Sequence, residues 1–508
     1  MPPLKKQPIQ QRGRVSAREL MPMLTDWRSS GEGIPGYRAL ADRLRLLVLD
    51  GRLPVDTVLP SERTLAEALE TSRTTTTSAY RLLRESGFAE GSQGAGTWTT
   101  LPRSEGRSES PIWPEHLSGE PDPSGARGDF SSAALEAPPE LYPAYQAAIS
   151  ELPRFLPGNG YVTSGLPVLR DRIAQRYTEA GLPTTPEQIL VTNGALQALH
   201  LVLGLVMERG DRVLVEHPTY PAAAQAIRTR GGRCVPLPVE AGWDIERMAT
   251  LIRQTGAHLA YLMPDFHNPT GLLMDEAQRR ELGAMIADTG CRIIVDETMR
   301  ELDLRTAIPA ARAGVPTPQN LPMPRPLAAF GPAEHVITLG SASKTFWGGL
   351  RIGWVRASQP LIRRLGLARG NEDLSGPLLE QLATAHLLEN LPTIRHQRQR
   401  LVAERAVALR DALAMHLPGW SVPMPQGGIS LWCHLPEPRS SHVAASARAM
   451  GVWLTPGPRF GLDGAFEARI RLPFARPTHD LVAMTEVLAR AWHSQGRAHS
   501  LDDDLTTV

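Results

Sequence analysis

A chain of 508 residues is longer than one ordinary domain, so two or three are expected, and with 42% hydrophobic residues each can bury a core. The formal net charge of +1 gives no ground for a nucleic-acid or membrane partner, so any such partner must be read from local patterning. Cys234, Cys291 and Cys433, the three cysteines, lie far apart without metal-ligand spacing, which fits a reducing cytoplasm and no metal site. The start of the chain lacks the apolar core of a signal peptide, and the longest apolar run, near Leu196 to Met207, is too short to span a bilayer. A cytoplasmic protein with no membrane partner is expected.

Residues 1–36 are polar and end in a cluster of Gly31, Gly33, Pro35 and Gly36, which predicts a flexible lead-in. Leu40, Leu44, Leu47 and Val48 then recur at helical spacing until Gly51 closes the run. Pro60-Ser61 starts a second helix with Leu65, Ala66 and Leu69 inward, and Ser72 caps a third that runs to Ser86. Two short helices joined by a tight turn read as helix-turn-helix. A small hairpin follows, with Phe88-Ala89-Glu90 and Thr97-Trp98-Thr99 on either side of a glycine-rich turn, and has the character of a wing. The third helix opens Ser72-Arg73-Thr74-Thr75-Thr76-Thr77, a β-branched run with poor helix propensity unless its side chains are wanted outside. Hydroxyls and an arginine at a helix start suit contacts to phosphates and base edges. Residues 38–98 hold eight arginines and eight acidic residues, so placement rather than net charge must supply any DNA affinity.

The order Leu59-Pro60-Ser61-Glu62-Arg63, Ser72-Arg73-Thr74-Thr75, Ala79-Tyr80-Arg81-Leu82-Leu83, Gly87 and Gly94-x-Gly96-Thr97 closely resembles a GntR-type winged-helix DNA-binding domain, over residues 37–100. The resemblance implies double-stranded DNA as a partner. It places Arg63, Ser72, Arg73, Thr74 and Thr75 against the duplex and Gln93, Gly94 and Gly96 at the wing tip. Arg63 has an alternative in Glu67, one turn along its own helix.

From 101 to 128, five prolines, four glycines and many Ser and Glu without periodicity read as a linker. A flexible chain of that length has an r.m.s. span of about 30 Å. Beyond residue 129, apolar strand-like runs at 212–216, 257–262, 292–296 and 336–340 alternate with helical stretches. This pattern predicts a mainly parallel sheet covered on both faces, with function at the strand ends. Several ends carry suitable chemistry. The amides of Gly194, Ala195 and Leu196 open an apolar helix and can take a phosphate. Tyr220 can stack on a flat ring, Asn268 can offer an amide to an oxygen, and Asp296 can hold a basic nitrogen protonated. Arg471 can pair in bidentate fashion with a carboxylate. Singly, Tyr220 reads equally well as core, Asp296 as a cap and Arg471 as a surface arginine. A proline-rich stretch from Ala307 to Glu334 reads as a surface excursion, and residues 498–508 as a flexible tail.

Arginine supplies 51 of the 54 basic residues; the lysines are Lys5, Lys6 and Lys344. A site that keeps one lysine needs what guanidinium cannot do, namely lose a proton and attack a carbonyl, so Lys344 points to Schiff-base chemistry. Ser341, three residues earlier, and Arg351, seven later, can supply a hydroxyl and a bidentate cation to one phosphate.

Ser341-x-x-Lys344 followed by Gly349-Leu350-Arg351-x-Gly353 resembles the lysine segment of fold-type I, pyridoxal-phosphate-dependent aminotransferases. Gly194, Tyr220, Asn268, Asp296, Ser341, Lys344, Arg351 and Arg471 also occur in that family's order over residues 129–497. The expected fold is therefore a helical winged domain ahead of an α/β transferase domain with a mainly parallel sheet. The resemblance implies pyridoxal 5'-phosphate as cofactor, Lys344 and Asp296 as catalytic residues, and a homodimer in which Tyr161 serves the neighbouring subunit's phosphate. One departure stands out: the family's tyrosine shortly after the aspartate is missing, since Glu297, Thr298 and Met299 follow Asp296. The two-part chain resembles the MocR-type subgroup of GntR regulators. That implies a transcription regulator sensing a small amino compound at Lys344, with no more than partial transaminase activity; a working aminotransferase, or a regulator sensing the cofactor itself, are the alternatives.

Overall fold

The computed structural model describes residues 13–24, 27, 35–49, 53, 57–92, 96–100, 128–313, 321–462 and 464–503. The chain divides into two units, residues 1–118 and 119–508.

In the first unit the helices Gly36–Leu49, Glu62–Ala68 and Arg73–Glu85 pack their apolar faces, with Leu40, Leu44, Leu47, Leu65, Ala79 and Leu83 in one core. Ser61 and Ser72 stop the backbone from fraying at the two helix starts, accepting from the amides of Thr64 at 3.1 Å and Thr75 at 3.0 Å. Strands β1 (Gly13–Arg14), β2 (Thr57–Val58), β3 (Ala89–Ser92) and β4 (Gly96–Thr99) form a sheet in the order β1-β2-β4-β3. The β3-β4 hairpin is the expected wing.

Part of the expected lead-in is folded, which corrects the reading of 1–36 as flexible. β1 pairs in parallel with β2, Ser16 and Glu19 form a capping box ahead of the short helix Ala17–Leu20, and Leu20, Leu24 and Trp27 are buried in the same core. Polar composition concealed this because a few well-placed apolar side chains suffice to anchor a short segment.

The second unit is built on a seven-stranded sheet. Its first strand pair is apart from that sheet: β5 (Gly128–Asp129) runs parallel to a later short strand, Val452–Trp453. The sheet itself contains β6 (Ile189–Thr192), β7 (Arg212–His217), β8 (Arg233–Pro238), β9 (Leu259–Leu262), β10 (Arg292–Asp296), β11 (Val336–Ser341) and β12 (Gly353–Arg356) in the order β6-β12-β11-β10-β9-β7-β8. Only β12 is antiparallel to its neighbours. Alternate residues enter opposite cores, Ile293 and Val295 one and Ile294 the other, as the two-residue period of a covered sheet requires. A third core joins the long helices Leu391–His416 and Thr478–Asp503 to a small sheet of β13 (Ser430–His434), β15 (Thr455–Pro456) and β16 (Arg469–Pro473), β14 being Val452–Trp453.

Two further expectations are corrected here. The 307–334 stretch is more than a surface excursion, since Ala307, Ile308, Ala310, Leu327 and Ala328 are buried. The last helix runs on to Asp503, past the expected start of a tail at 498. The linker expected at 101–128 lies outside the described residues except for Gly128, which belongs to β5. No helix among the described residues is long and apolar enough to cross a membrane.

Candidate cofactor and effector site

β6, β7, β9, β10 and β11 share one direction, so their carboxyl ends open along one edge of the sheet. Each of the loops that follow carries a residue singled out in the sequence.

Lys344 follows β11, and its Nζ donates to the carbonyl of Ala133 at 2.7 Å. Burial brings the ammonium down to about 8; Arg471 and Arg351 push the same way, and Asp296 opposes them. A useful fraction of Lys344 is therefore neutral near neutrality, as nucleophilic attack on a carbonyl requires. Adduct formation between the cofactor-free chain and an aldehyde is expected to rise about tenfold per pH unit below about 8 and to level off above it, followed by absorbance. A rate that stays flat across that range would exclude Lys344 as the titrating nucleophile.

Asp296 ends β10. Its Oδ2 accepts from the Tyr261 hydroxyl at 2.6 Å and its Oδ1 from the Thr298 amide at 2.9 Å. Burial pushes this carboxyl up, while the two donors pull it back toward the ionised form. Tyr261 escaped the sequence reading. The signal for it is the parallel register, in which Tyr261 pairs with Ile294, two residues before Asp296 and so on the same face. Met299, in the stretch where the family carries its tyrosine, is buried in the third core and brings no hydroxyl.

The turn between β6 and the helix Ala195–Val206 forms a close-fitting cradle. Gly194 sits at φ 92, a conformation that favours glycine, and a Cβ there would meet Arg351 Nη2 at 2.9 Å. A Cβ on Gly353 would come within 2.5 Å of the Ala195 nitrogen. Arg351 Nη2 donates to the Asn193 carbonyl at 3.2 Å, at the start of the same turn as the Gly194, Ala195 and Leu196 amides. Ser341 Oγ accepts from the Ser343 amide at 3.1 Å.

Tyr220 is half-buried at the start of the helix Pro221–Thr229. Burial and the charge of Asp296 raise its phenol, while Arg471 and Arg351 lower it, so three of the predicted side chains share one electrostatic environment with it and Lys344. Asn268 presents a buried Oδ1 with no hydrogen-bond partner among the described residues. Arg471, on β16, donates from Nη2 to the Ser131 carbonyl at 2.6 Å and stands 4.9 Å over the Phe460 ring, with its Nε buried and unpartnered. Burial lowers its guanidinium to about 10, with Tyr220 and Asp129 opposing.

No motif marks the leading segment of this unit. Ser131 and Ala133 lend their carbonyls to Arg471 and Lys344, and Glu136 lends both its carbonyl and its carboxylate to Arg398 and Arg405. Arg398 also donates to the carbonyls of Thr345 and Phe346, tying this segment to the Lys344 turn. Tyr161 is not brought to this chain's own site; it is 63% exposed.

In the first unit, Arg73 and Thr74 are exposed at the start of their helix, and Thr75 Oγ1 lies 2.8 Å from Ser72 Oγ. Arg63 is exposed, 3.7 Å from Glu67 Oε1, the alternative weighed from the sequence. Gly96 opens β4 at φ 82, while Gln93 and Gly94 lie outside the described residues.

Comparison with known proteins gives these two units their class. The family described as aminotransferase class I and II matches residues 138–490, and that described as bacterial regulatory proteins, gntR family, matches residues 36–98. The 2-aminoadipate transaminase of Thermus thermophilus is 31% identical over 358 residues, 68% of this chain and 86% of that one. The crystal structure of LysN from the same organism, an α-aminoadipate aminotransferase complexed with N-(5'-phosphopyridoxyl)-L-leucine, superimposes with a TM-score of 0.62 at 28% identity, covering 72% of this chain and 92% of that one. A probable rhizopine catabolism regulatory protein, MocR of Rhizobium meliloti, is 28% identical over 409 residues, 76% of this chain and 79% of its own length. The chain belongs to the aminotransferase class I and II family and, with its gntR-family domain in front, to the MocR-type regulators.

Its cofactor is pyridoxal 5'-phosphate. The residues present fit that group: a lysine lowered toward neutrality, a buried carboxylate, an unpartnered amide oxygen at Asn268 and a glycine-lined turn that added Cβ atoms would fill. When bound, it supplies an aldehyde and an electron-withdrawing ring.

Proposed function

We propose that this protein is a transcription regulator that binds DNA through its winged helix and senses an amino compound that exchanges with Lys344 for the cofactor's aldehyde. Lys344 supplies the exchangeable amine, Asp296 holds the pyridine nitrogen protonated, Tyr220 stacks on the ring, and Asn268 faces the phenolic oxygen. The Gly194, Ala195 and Leu196 amides, Ser341 and Arg351 hold the phosphate. Arg471 takes a carboxylate of the effector. Arg63, Ser72, Arg73, Thr74, Thr75 and the wing residues Gln93, Gly94 and Gly96 contact DNA. The protein acts in the cytoplasm as a homodimer, in which Tyr161 reaches the other subunit's phosphate.

The observation that carries sensing, rather than catalysis alone, is the segment from Ser131 to Ala133. It lies within the second unit, just after β5, and its carbonyls accept hydrogen bonds from both the amine and the guanidinium that an amino acid would engage. An effector carboxylate competes with Ser131 for Arg471, and an amine exchanged at Lys344 changes the donor available to Ala133. Both events alter the hold on the leading segment of the second unit, giving a ligand differential contacts in two states.

A working aminotransferase is the second reading, favoured by the 31% identity to a transaminase. Operator DNA recovered by genomic footprinting separates the two. On the sensing reading, amino acids added to the cofactor-loaded protein shift operator affinity by about 5- to 150-fold, with at most single-turnover exchange. Multiple turnovers with amino and keto acids and unchanged operator affinity would establish the enzyme instead. If the cofactor without any amine gives the whole shift, the cofactor is itself the signal.

A further inference from the structure

We infer that Asp373 and Gln197 are positioning residues for the cofactor's phosphate, clasping the Asn193-Gly194-Ala195 turn in its anion-binding shape. The inference rests on the reading of the Gly194, Ala195 and Leu196 amides with Arg351 as the phosphate cradle.

The turn is held from several sides. The Asn193 amide donates to Gln197 Oε1 at 2.6 Å, so the helix side chain takes up the one amide that precedes the cradle. Gln197 Nε2 passes the contact on to Asp373 Oδ2 at 2.5 Å, and Asn193 Nδ2 donates to the same oxygen at 2.6 Å. Asp373 lies 180 residues along the chain from Asn193, so no local rule brings them together. Arg369 completes the clasp: it donates from Nε to Asp373 Oδ1 at 2.6 Å and from Nη2 to Oδ2 at 3.0 Å, while its Nη1 donates to the Thr163 carbonyl at 2.9 Å and to the Val191 carbonyl of β6. This guanidinium is fully buried, and its fork fixes the carboxylate's orientation.

The loop after Asp373 presses on the same turn. Leu374 takes a left-handed conformation at φ 61, and a Cβ on Gly376 would come within 2.9 Å of Asn193 Oδ1. With Asn193 held by one carboxylate and one amide, and with Arg351 on its carbonyl, the residue entering the cradle has little freedom. An anion site made of backbone amides depends on their converging on one point, so fixing the entering residue fixes affinity for phosphate. A purely structural clasp would instead affect every ligand of the site alike.

The test uses two aldehydes on the full-length, cofactor-free chain: pyridoxal 5'-phosphate, and pyridoxal, which lacks the phosphate. Both are titrated by the absorbance of the adduct. Gln197→Met and Asp373→Asn are each expected to weaken the phosphorylated aldehyde about tenfold and to leave pyridoxal within about twofold. Gln197→Met removes the relay without disturbing the Arg369 pair, so it stands if Asp373→Asn fails to fold, and its thermal midpoint reports whether the fold is intact. Unchanged affinity for both aldehydes in a folded Gln197→Met, or an equal loss for both, overturns the clasp. Arg351→Ala tells which reading has failed. If it discriminates between the aldehydes while the clasp variants do not, the cradle stands and the clasp falls; if it does not discriminate either, the cradle reading and the clasp fall together.

Discussion

Lys344→Ala is expected to abolish the borohydride-fixed adduct completely and with it the visible absorbance of the loaded protein. The reason is chemical: Lys5 and Lys6 are the only other lysines, both at the chain's start, and arginine cannot replace an amine that must shed its proton to attack an aldehyde. Lys344→Arg is expected to fail as fully. Folding should not confuse the result. Burial opposes the charge of Lys344, so removing the amine takes away a desolvated cation and the thermal midpoint of the cofactor-free protein should hold or rise. The measurement is mass spectrometry of peptides after reduction. An adduct that persists in Lys344→Ala would place the chemistry at another nucleophile and remove the basis for the sensing proposal.

The second large effect is expected at Arg471. In Arg471→Leu, affinity for amino acids should fall by about 2–5 kcal/mol, roughly 30-fold to more than a thousandfold, because a buried guanidinium is the partner offered to a carboxylate. Among the described residues its Nε has no hydrogen-bond partner and its Nη2 donates to a backbone carbonyl, so both are available to a stronger acceptor. Amines without a carboxylate should keep their affinity within about threefold, since they have nothing for Arg471 to lose. Arg471→Lys preserves charge but not the planar fork and should recover only part of the loss. Calorimetric or spectroscopic titration of the cofactor-loaded protein with matched amino acids and their decarboxylated amines gives both numbers. Equal losses for the two classes would mean that Arg471 shapes the site without recognising the carboxylate.

Lys344 and Arg471 stand out in the sequence; the contacts that set their behaviour do not. The helices of the first unit were legible because Leu40, Leu44, Leu47 and Val48 repeat at the helix period and Ser61 and Ser72 cap locally, all within a few residues. The folded part of the lead-in was not, because β1 gains its meaning only by pairing with Thr57–Val58 more than forty residues on. In the second unit the buried strands β7, β9, β10 and β11 stood out as apolar runs. The short β12, which links β11 to β6 in antiparallel fashion, did not: four residues carry too little pattern to show which strands flank them.

The sequence alone determined which covalent chemistry is available, through Lys344 among so many arginines, and in what order the polar groups follow the strands. Tertiary structure decided what surrounds them. Tyr261 reaches Asp296 through strand register, Ser131 and Ala133 act through carbonyls that every residue possesses, and Asp373 joins the Asn193 turn from 180 residues away. Residue type fixes what a group can donate, accept or release. Burial and the charges brought beside it fix when it does so, and those are properties of chain crossings that no local pattern encodes.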